Sequence, residues 1–204
     1  MKVYIMRHGE TDWNARHLFQ GQVNTSLNAR GIEQAQKAKE RVKNLGLIFD
    51  AVYSSPIDRA TRTIEIVTGL DRSQFQLDDR LKEMNFGLLD ETPFDREAPA
   101  VGHLFDKPSE YVPPKGAESF EELEARLASF MEDLRKNRPG KSILVGCHGC
   151  AMRVLLKWAG YLPLDEIWNQ GIGNCAIIEM TLGEDEKFRV THMYDTQDWF
   201  GQNK

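Results

Sequence analysis

Two histidines stand at matching points of two similar segments, KVYIMRHGE (residues 2–10) and SILVGCHGC (residues 142–150). In each segment a short apolar run stops at a polar residue and a glycine, which is typical of a buried parallel strand meeting its loop. If the two strands are neighbours, His8 and His148 meet at the carboxyl edge of the sheet, where open α/β sheets hold their ligands. Two converging imidazoles suggest either catalysis or metal binding.

Two arginines are expected at the same edge. Arg7 precedes His8, and Arg59 begins the predicted helix that follows the strand DAVYSS. Guanidinium groups, imidazoles and helix N-terminal amides together suit an anion, most naturally a phosphoryl group. One imidazole could then attack phosphorus while the arginines and the other imidazole stabilise charge on the oxygens. Glu83, in LKEMNFG, is the candidate donor of a proton to the leaving oxygen.

The elements that must position these groups alternate between strand and helix patterns, which predicts a three-layer α/β/α sandwich with a mostly parallel sheet. One domain is expected over residues 1–204, with the proline-rich stretch 86–118 as an irregular or helical insertion that sets substrate specificity. The first expected helix begins at an Asn28 N-cap and stops at Gly46, and the second begins at a Ser55 N-cap, with Pro56 at its first position, and runs through Ile66. The third begins at a Ser119–Glu122 capping box, and the fourth covers about 151–160. Besides the two histidine strands, strands are expected at DAVYSS, 74–79, 175–182 and 187–194.

The composition excludes several classes of protein. The chain has 204 residues, 41% of them hydrophobic, and a formal charge of −5, which argues against a nucleic-acid-binding surface. No apolar stretch approaches the ~20 residues of a membrane span, and the N-terminus lacks a signal-peptide pattern, so a soluble cytoplasmic protein is expected. Three cysteines do not make a disulfide framework.

The segment Cys147-His148-Gly149-Cys150 has the C-x-x-C spacing of redox and metal sites, and Cys175 could add a third thiolate. No second cluster of histidine and cysteine completes four ligands, and a redox site leaves both arginines and Glu83 without a role. Buried or incidental thiols are the preferred interpretation.

Four segments, RHGETDWN, SSPIDRATRT, LKEMNFG and VGCHGCAMR, occur in an order and at spacings that resemble the histidine phosphatase superfamily, which shares its fold with the cofactor-dependent phosphoglycerate mutases. The resemblance covers essentially the whole chain. It implies that His8 is the phosphorylated nucleophile, His148 the second imidazole and Glu83 the proton donor. The phosphate clamps and substrate contacts it implies are Arg7, Arg59, Asn14 and Gly149, together with Thr11, Gln20 and Gly21 of a substrate-side loop.

The resemblance also indicates a branch. EMNFGLLDE after the acid is similar to the hydrolase members, and PPKGAESFEEL resembles small bacterial phosphatases, including those acting on α-ribazole phosphate and broad-specificity types. A phosphomonoester hydrolase for a small phosphorylated metabolite is therefore expected, with no metal, no cofactor, no nucleic-acid partner and no membrane partner. The alternatives are a cofactor-dependent phosphoglycerate mutase and a non-catalytic phosphate-binding regulatory module. A homodimer through apolar strands near the termini is left open.

Other polar and aromatic residues receive structural interpretations. His17, His103 and His192 are expected at the surface or in satisfied hydrogen bonds, and Arg62 in a structural pair. Two roles are equally expected for Glu118, contact with the substrate or stabilisation of the N-terminus of the helix that follows it. Asn24 stands where many relatives have aspartate, which bears on loop anchoring. The aromatic residues expected to pack in the core or under loops are Trp13, Phe19, Phe86 and Trp168.

Overall fold

A six-stranded mixed sheet forms the centre of the protein in this computed structural model, which describes residues 1–137 and 140–194. The strands are β1 (Lys2–Arg7), β2 (Ala51–Ser54), β3 (Gln76–Leu77), β4 (Ser142–Cys147), β5 (Ile177–Leu182) and β6 (Phe188–Tyr194). Their order across the sheet is β3-β2-β4-β1-β5-β6. The first four strands in this order are parallel, β5 runs antiparallel to β1, and β6 runs antiparallel to β5.

The register between β1 and β4 brings the two histidines together. Arg7 lies opposite Cys147 in the parallel pair, so the next residue on each strand is a histidine. The expectation that these strands are neighbours is confirmed, although most of the chain separates them in sequence.

Helices cover both faces of the sheet, because side chains alternate along each strand. On β1, Val3 and Ile5 join the core cluster of the helices over 120–137 and 149–158, whereas Tyr4 and Met6 join the cluster of the helices over 29–44 and 58–68. The predicted three-layer α/β/α class is confirmed. The helices are α1 (Asp12–Ala15), α2 (Ala29–Asn44), α3 (Asp58–Thr68), α4 (Phe120–Asn137) and α5 (Gly149–Trp158).

Local capping rules predict two helix starts correctly and one wrongly. The Asn28 side chain accepts from the Gly31 N–H at α2, and Ser119 and Glu122 form a reciprocal capping box at α4. The Ser55 N-cap is wrong, because the Ser55 N–H continues the sheet by donating to Gly146 O and α3 begins only at Asp58. At that start the Asp58 N–H donates to Oδ1 of Asn24, 2.8 Å away.

Three other predicted boundaries shift. The strand expected over 74–79 shortens to Gln76–Leu77, because 3-10 turns at Arg72–Gln74 and Asp79–Leu81 flank it. The strand expected from 175 begins at Ile177, and the helix expected from 151 begins at Gly149.

The stretch 86–118 contains short 3-10 turns and no long helix, as the irregular composition predicts. Its Leu89, Val101, Leu104 and Phe105 are buried in the same cluster as β1, β4 and α5. The predicted domain also includes residues 138–139 and 195–204, which lie outside the described residues. The strands near the termini are paired within this sheet, and a homodimer stays a prediction. Within residues 1–137 and 140–194, no helix is long and apolar enough to cross a membrane.

Candidate active site

A cleft of about 590 Å³, including its open mouth, lies at the carboxyl ends of β1 and β4. Its walls come from the loop after β1, the stretch 83–94 and the first turns of α5. Polar groups occupy one part of the wall and aromatic rings another. The lining residues are Arg7, His8, Asn14, His17, Leu18, Phe19, Gln20, Glu83, Phe86, Phe94, Gly149, Cys150, Arg153 and Trp168.

The His8 imidazole presents Nε2 as a base. Its Nδ1 lies 2.7 Å from Gly9 O, and a carbonyl oxygen can only accept, so Nδ1 carries the proton of the neutral ring. Nε2 then holds a lone pair and accepts from the Arg59 Nε–H at 3.3 Å. The His8 backbone is fixed as well, because its carbonyl accepts from Asn174 Nδ2 at 3.1 Å. His8 is therefore oriented for attack from Nε2.

His148 is the N-cap residue of α5 and is fully buried, with its ring centroid 5.2 Å from that of His8. Its Nε2 lies 2.8 Å from the Ser55 hydroxyl, which explains what the serine does in place of capping α3. The buried Nδ1 has no hydrogen-bond partner within the described part of the chain. His148 is not among the residues that line the cleft, but its ring lies against that of His8, which does line it.

Both imidazoles are held neutral. Burial is the largest cause that lowers the pKa of His8 well below 6.5, followed by the charges of Arg59 and Arg7. Burial also lowers the pKa of His148 well below 6.5, followed by Arg59 and His8. A neutral His8 is the form that can act as a nucleophile.

These lowered pKa values predict a pH-dependent stability. The unfolded chain binds protons below pH 6.5 more readily than the folded protein does, so the free energy of unfolding should fall as the pH drops below 6.5. Each imidazole should contribute about 1.4 kcal/mol per pH unit until its folded pKa is reached. Urea unfolding at pH 7.5, 6.5 and 5.5 measures the slope.

His148→Asn should make this slope about half as steep, because it removes one of the two groups. His17→Asn is the matched control, since His17 is exposed. Equal stability at pH 7.5 and 5.5 in the unsubstituted protein would contradict the buried neutral state.

Arg59 is fully buried and organises the loop after β1. Its Nη1 donates to Val23 O at 2.8 Å and to the Thr25 hydroxyl, and its Nη2 donates to Gly21 O at 2.7 Å. With the Nε–H directed at His8, all but one of its N–H groups have protein acceptors. Burial, and to a smaller extent Arg7, lower the pKa of Arg59 to about 10, so it stays a cation at neutral pH.

The loop residues implied by resemblance fall into two groups. Asn14 and Gln20 line the cleft, whereas Thr11 and Gly21 do not. The Thr11 hydroxyl caps α1 and donates to Gln20 Oε1 at 2.8 Å. Gly21 allows a close approach, because a Cβ there would lie 2.8 Å from both Asp90 Oδ1 and Met84 O. These two residues shape the loop that holds Arg59.

Gly149 separates two guanidinium groups. A Cβ on Gly149 would lie 3.3 Å from Arg7 Nε and 3.4 Å from Arg153 Nη1. Arg7 is held in turn by Ile172 O, 2.6 Å from its Nη1. The missing side chain therefore keeps the cleft open between two cations.

Glu83 contacts the cleft and also caps α5. Its Oε1 accepts from the Met84 and Ala151 N–H groups at 2.9 Å, and its Oε2 accepts from the Cys150 N–H at 3.0 Å. Two of these donors are otherwise unsatisfied amides of the first turn of α5. The carboxylate is thus fixed at the end of the helix that carries His148 and Gly149.

Sequence reasoning did not find Arg126, which holds the backbone around Glu83. From α4 its Nη1 donates to the carbonyls of Arg80 and Lys82, and its Nη2 donates to Glu83 O at 3.0 Å. Glu118 pairs with Arg126 at 2.6 Å and accepts from the Asn85 N–H. Glu118 does not line the cleft, and its pairing with Arg126 differs from both expected roles, a substrate contact and a helix N-terminal residue.

Arg126→Gln is expected to lower kcat about 10-fold with little change in KM, because it releases the segment that fixes the Glu83 carboxylate. The loss should be larger for alkyl than for aryl phosphates, since alkyl leaving groups need the proton more. Arg126→Lys should restore part of the activity. Steady-state kinetics on both ester types tests this, with Arg135→Gln as a control at an arginine of the same helix that lies away from the cleft. Equal losses for both ester types would assign Arg126 a general structural role.

Other lining residues differ from their sequence interpretation. Phe19, Phe86 and Trp168 are buried, as expected of packing residues, and they also line the cleft. His17 is exposed as expected but stands at the rim with a left-handed φ of 52°. Arg153 was not considered, since one arginine in an apolar helix gives no local signal. His103 and His192 lie outside the cleft, near Asp106 and Glu179.

The cysteines do not form a reactive pair. Cys147 and Cys150 are buried, and burial raises the pKa of Cys147 to about 12 and that of Cys150 well above 9. A thiolate, the reactive form in redox and metal chemistry, is therefore disfavoured. No group of three or more potential metal ligands occurs among residues 1–137 and 140–194.

Comparison with known proteins identifies the relatives of this chain. The family model for the histidine phosphatase superfamily (branch 1) matches residues 3–196. The probable phosphoglycerate mutase GpmB of Shigella dysenteriae is 33% identical over 181 residues, covering 87% of this chain and 83% of that protein.

Among solved structures, YhfR of Bacillus stearothermophilus superposes with a TM-score of 0.84 at 25% identity, over 93% of this chain and 95% of that one. A mycobacterial glucosyl-3-phosphoglycerate phosphatase in complex with VO3 gives a TM-score of 0.77 at 25% identity, over 93% and 96%. A phosphoserine phosphatase mutant of Entamoeba histolytica shares the fold, with a TM-score of 0.83 at 24% identity over 96% and 98%.

Proposed function

The chain belongs to the histidine phosphatase superfamily, and from that premise we propose that it is a phosphomonoester hydrolase. It acts through a phosphohistidine at His8 on a small phosphorylated metabolite. The observation that carries the proposal is the His8 Nε2 lone pair, which lies in a cleft shared with Arg7 and Glu83.

The reaction has two in-line steps. In the first, His8 Nε2 bonds to phosphorus, the ester oxygen leaves, and Glu83 gives it a proton. In the second, Glu83 takes a proton from water as the water oxygen bonds to phosphorus and the nitrogen–phosphorus bond breaks. Arg7, the remaining N–H of Arg59 and His148 stabilise charge on the phosphoryl oxygens in both steps.

A phosphoglycerate mutase is the second candidate, and the 33% identical relative called a probable mutase favours it. The hydrolase is preferred because the segment that begins with Glu83 reads EMNFGLLDE, without the basic residues expected to hold a second phosphate. The mycobacterial neighbour with a similar fold is itself a phosphatase. The non-catalytic module is disfavoured by the oriented His8 and by Glu83 in the same cleft.

Release of inorganic phosphate decides between these candidates. The protein is incubated with p-nitrophenyl phosphate from pH 5 to pH 8, and separately with 3-phosphoglycerate in the presence of the bisphosphate cofactor. A hydrolase releases phosphate from both esters. Conversion of 3-phosphoglycerate to 2-phosphoglycerate without phosphate release would establish the mutase, and no turnover of any phosphoester would favour the binding module.

A further inference from the structure

Arg153 is a buried cation that the proposed reaction does not use. It lies one turn after Gly149 on α5, is 4% exposed and lines the cleft. Its Nη1 donates to Gly149 O at 2.9 Å, and no other guanidinium nitrogen has a hydrogen-bond partner within the described residues. No carboxylate of that part of the chain forms an ion pair with it.

A buried guanidinium without an ion pair lowers the stability of the folded protein, since buried charges are normally paired. Burial, and next the charge of Arg7, lower the pKa of Arg153 to about 10, which leaves it protonated at neutral pH. The Trp168 ring lies 5.2 Å from its Cζ and is itself held by a 2.6 Å bond from Nε1 to Leu104 O. The cation is therefore fixed in place before any ligand arrives.

Arg153 stands next to the phosphoryl position without belonging to it. The charges of Arg59 and Arg7 lower the pKa of His8, whereas the charges of Arg7 and Arg96 lower the pKa of Arg153. Arg96 belongs to the stretch 86–118. Arg7 directly precedes His8, and a Cβ on Gly149 would lie 3.3 Å from Arg7 Nε and 3.4 Å from Arg153 Nη1, so Arg7 is a neighbour of both His8 and Arg153. An anion at Arg153 would sit beyond the phosphoryl group, on the side of Trp168.

We propose that Arg153 binds a carboxylate of the substrate, so that the preferred phosphomonoesters carry a carboxylate a few atoms from the ester oxygen. This inference rests on the proposed function. One buried guanidinium without a counter-ion matches one negative charge, whereas a second phosphoryl group would bring nearly two. The unused Nε–H beside Nη2 offers the paired donors that a carboxylate accepts. Phe19, Phe86 and Phe94 line the same cleft and suit a short organic chain.

Matched substrates test the proposal, because the two members of each pair differ only at the position of the carboxylate, which is replaced by hydrogen in one pair and by a hydroxymethyl group in the other. The pairs are phosphoserine with phosphoethanolamine, and 3-phosphoglycerate with glycerol 3-phosphate, and phosphate release gives kcat/KM for each. The protein should prefer the carboxylate member by about 30-fold or more. In Arg153→Gln that ratio should fall below about threefold, whatever the rate with the ester that lacks the carboxylate, and in Arg153→Lys it should be intermediate.

Arg96→Gln is the matched control, since it removes an exposed cation whose charge reaches Arg153. It should leave the ratio unchanged, and an equal loss of preference there would show a general field instead of a specific contact. If Arg153→Gln does not fold, the Arg153→Lys ratio and the preference of the unsubstituted protein decide.

Three results would overturn the inference: no carboxylate preference in the unsubstituted protein, an unchanged ratio in Arg153→Gln, or a stronger preference for a bisphosphate of the same length. Each can occur while p-nitrophenyl phosphate is still hydrolysed through His8, so the proposed function would survive. If the unsubstituted protein hydrolysed neither p-nitrophenyl phosphate nor any of the paired esters, the proposed function would be rejected instead.

Discussion

Replacement of His8 by alanine is expected to lower kcat/KM for p-nitrophenyl phosphate at least about 10³-fold, because it removes the atom that bonds to phosphorus. The covalent intermediate should disappear with it. Rapid mixing with a ³²P-labelled ester, followed by an alkaline quench that preserves nitrogen–phosphorus bonds, should label the unsubstituted protein and not His8→Ala.

His17→Ala is the matched control for this experiment. His17 is a histidine of the same cleft but stands exposed at its rim, so its loss should change kcat/KM less than about threefold. A His8→Ala protein that keeps more than a tenth of the activity, or that is still labelled, would contradict the proposal. Label retained in His8→Ala and lost in His148→Ala would move the nucleophile to the second imidazole.

The position of each histidine at the end of a buried strand could be predicted from the sequence because it depends on short-range patterns. Each apolar run ends at a histidine, and the parallel pairing of Arg7 with Cys147 then aligns the two ends. The N-cap at Asn28 and the capping box at Ser119 are likewise local. Features that depend on a segment of about ten residues can be predicted without knowledge of the fold.

The Ser55 N-cap failed because a tertiary contact overrides the local rule. Ser followed by Pro and Asp is a common helix start, but here the Ser55 N–H extends the β2–β4 ladder and the hydroxyl binds His148. The two partners are 93 residues apart in sequence. The sequence neighbours of a serine that contacts a site histidine do not distinguish it from a serine that caps a helix.

The supporting groups of the site were missed for the same reason. Arg126 reaches carbonyl oxygens more than forty residues away in sequence, and Arg153 meets Trp168 only through the packing of α5 on the chain after it. Arg126 lies beside the buried Leu127 on α4, and residues 149–156 of α5 are all buried, so the helical pattern does not single out either arginine. Their burial, and with it their role, is visible only when the layers are assembled.

Glu83 presents a harder problem than His8, because its carboxylate has a structural role as well as the proposed catalytic one. In its better orientation the Glu83→Gln amide keeps an oxygen acceptor for the Met84 and Ala151 N–H groups but turns its NH₂ toward the Cys150 N–H, which should cost about 1–3 kcal/mol of stability. A simple loss of activity would therefore not show that Glu83 transfers a proton. The leaving group separates the two effects.

Glu83→Gln is expected to lower the rate of the first step about 10³-fold for phosphate esters of aliphatic alcohols. For p-nitrophenyl phosphate the same rate should fall about 10-fold or less, since nitrophenolate leaves without a proton. Single-turnover measurements of alcohol release isolate that step from the second, in which Glu83 activates water and both esters share the same phosphoenzyme. The slower second step should make phospho-His8 accumulate with p-nitrophenyl phosphate and appear as a burst of nitrophenol. Gln20→Ala, which alters a cleft residue without an acid, should slow alcohol release equally for both esters. If Glu83→Gln did the same, the carboxylate would only position α5, and the proton would have to come from another group in the cleft.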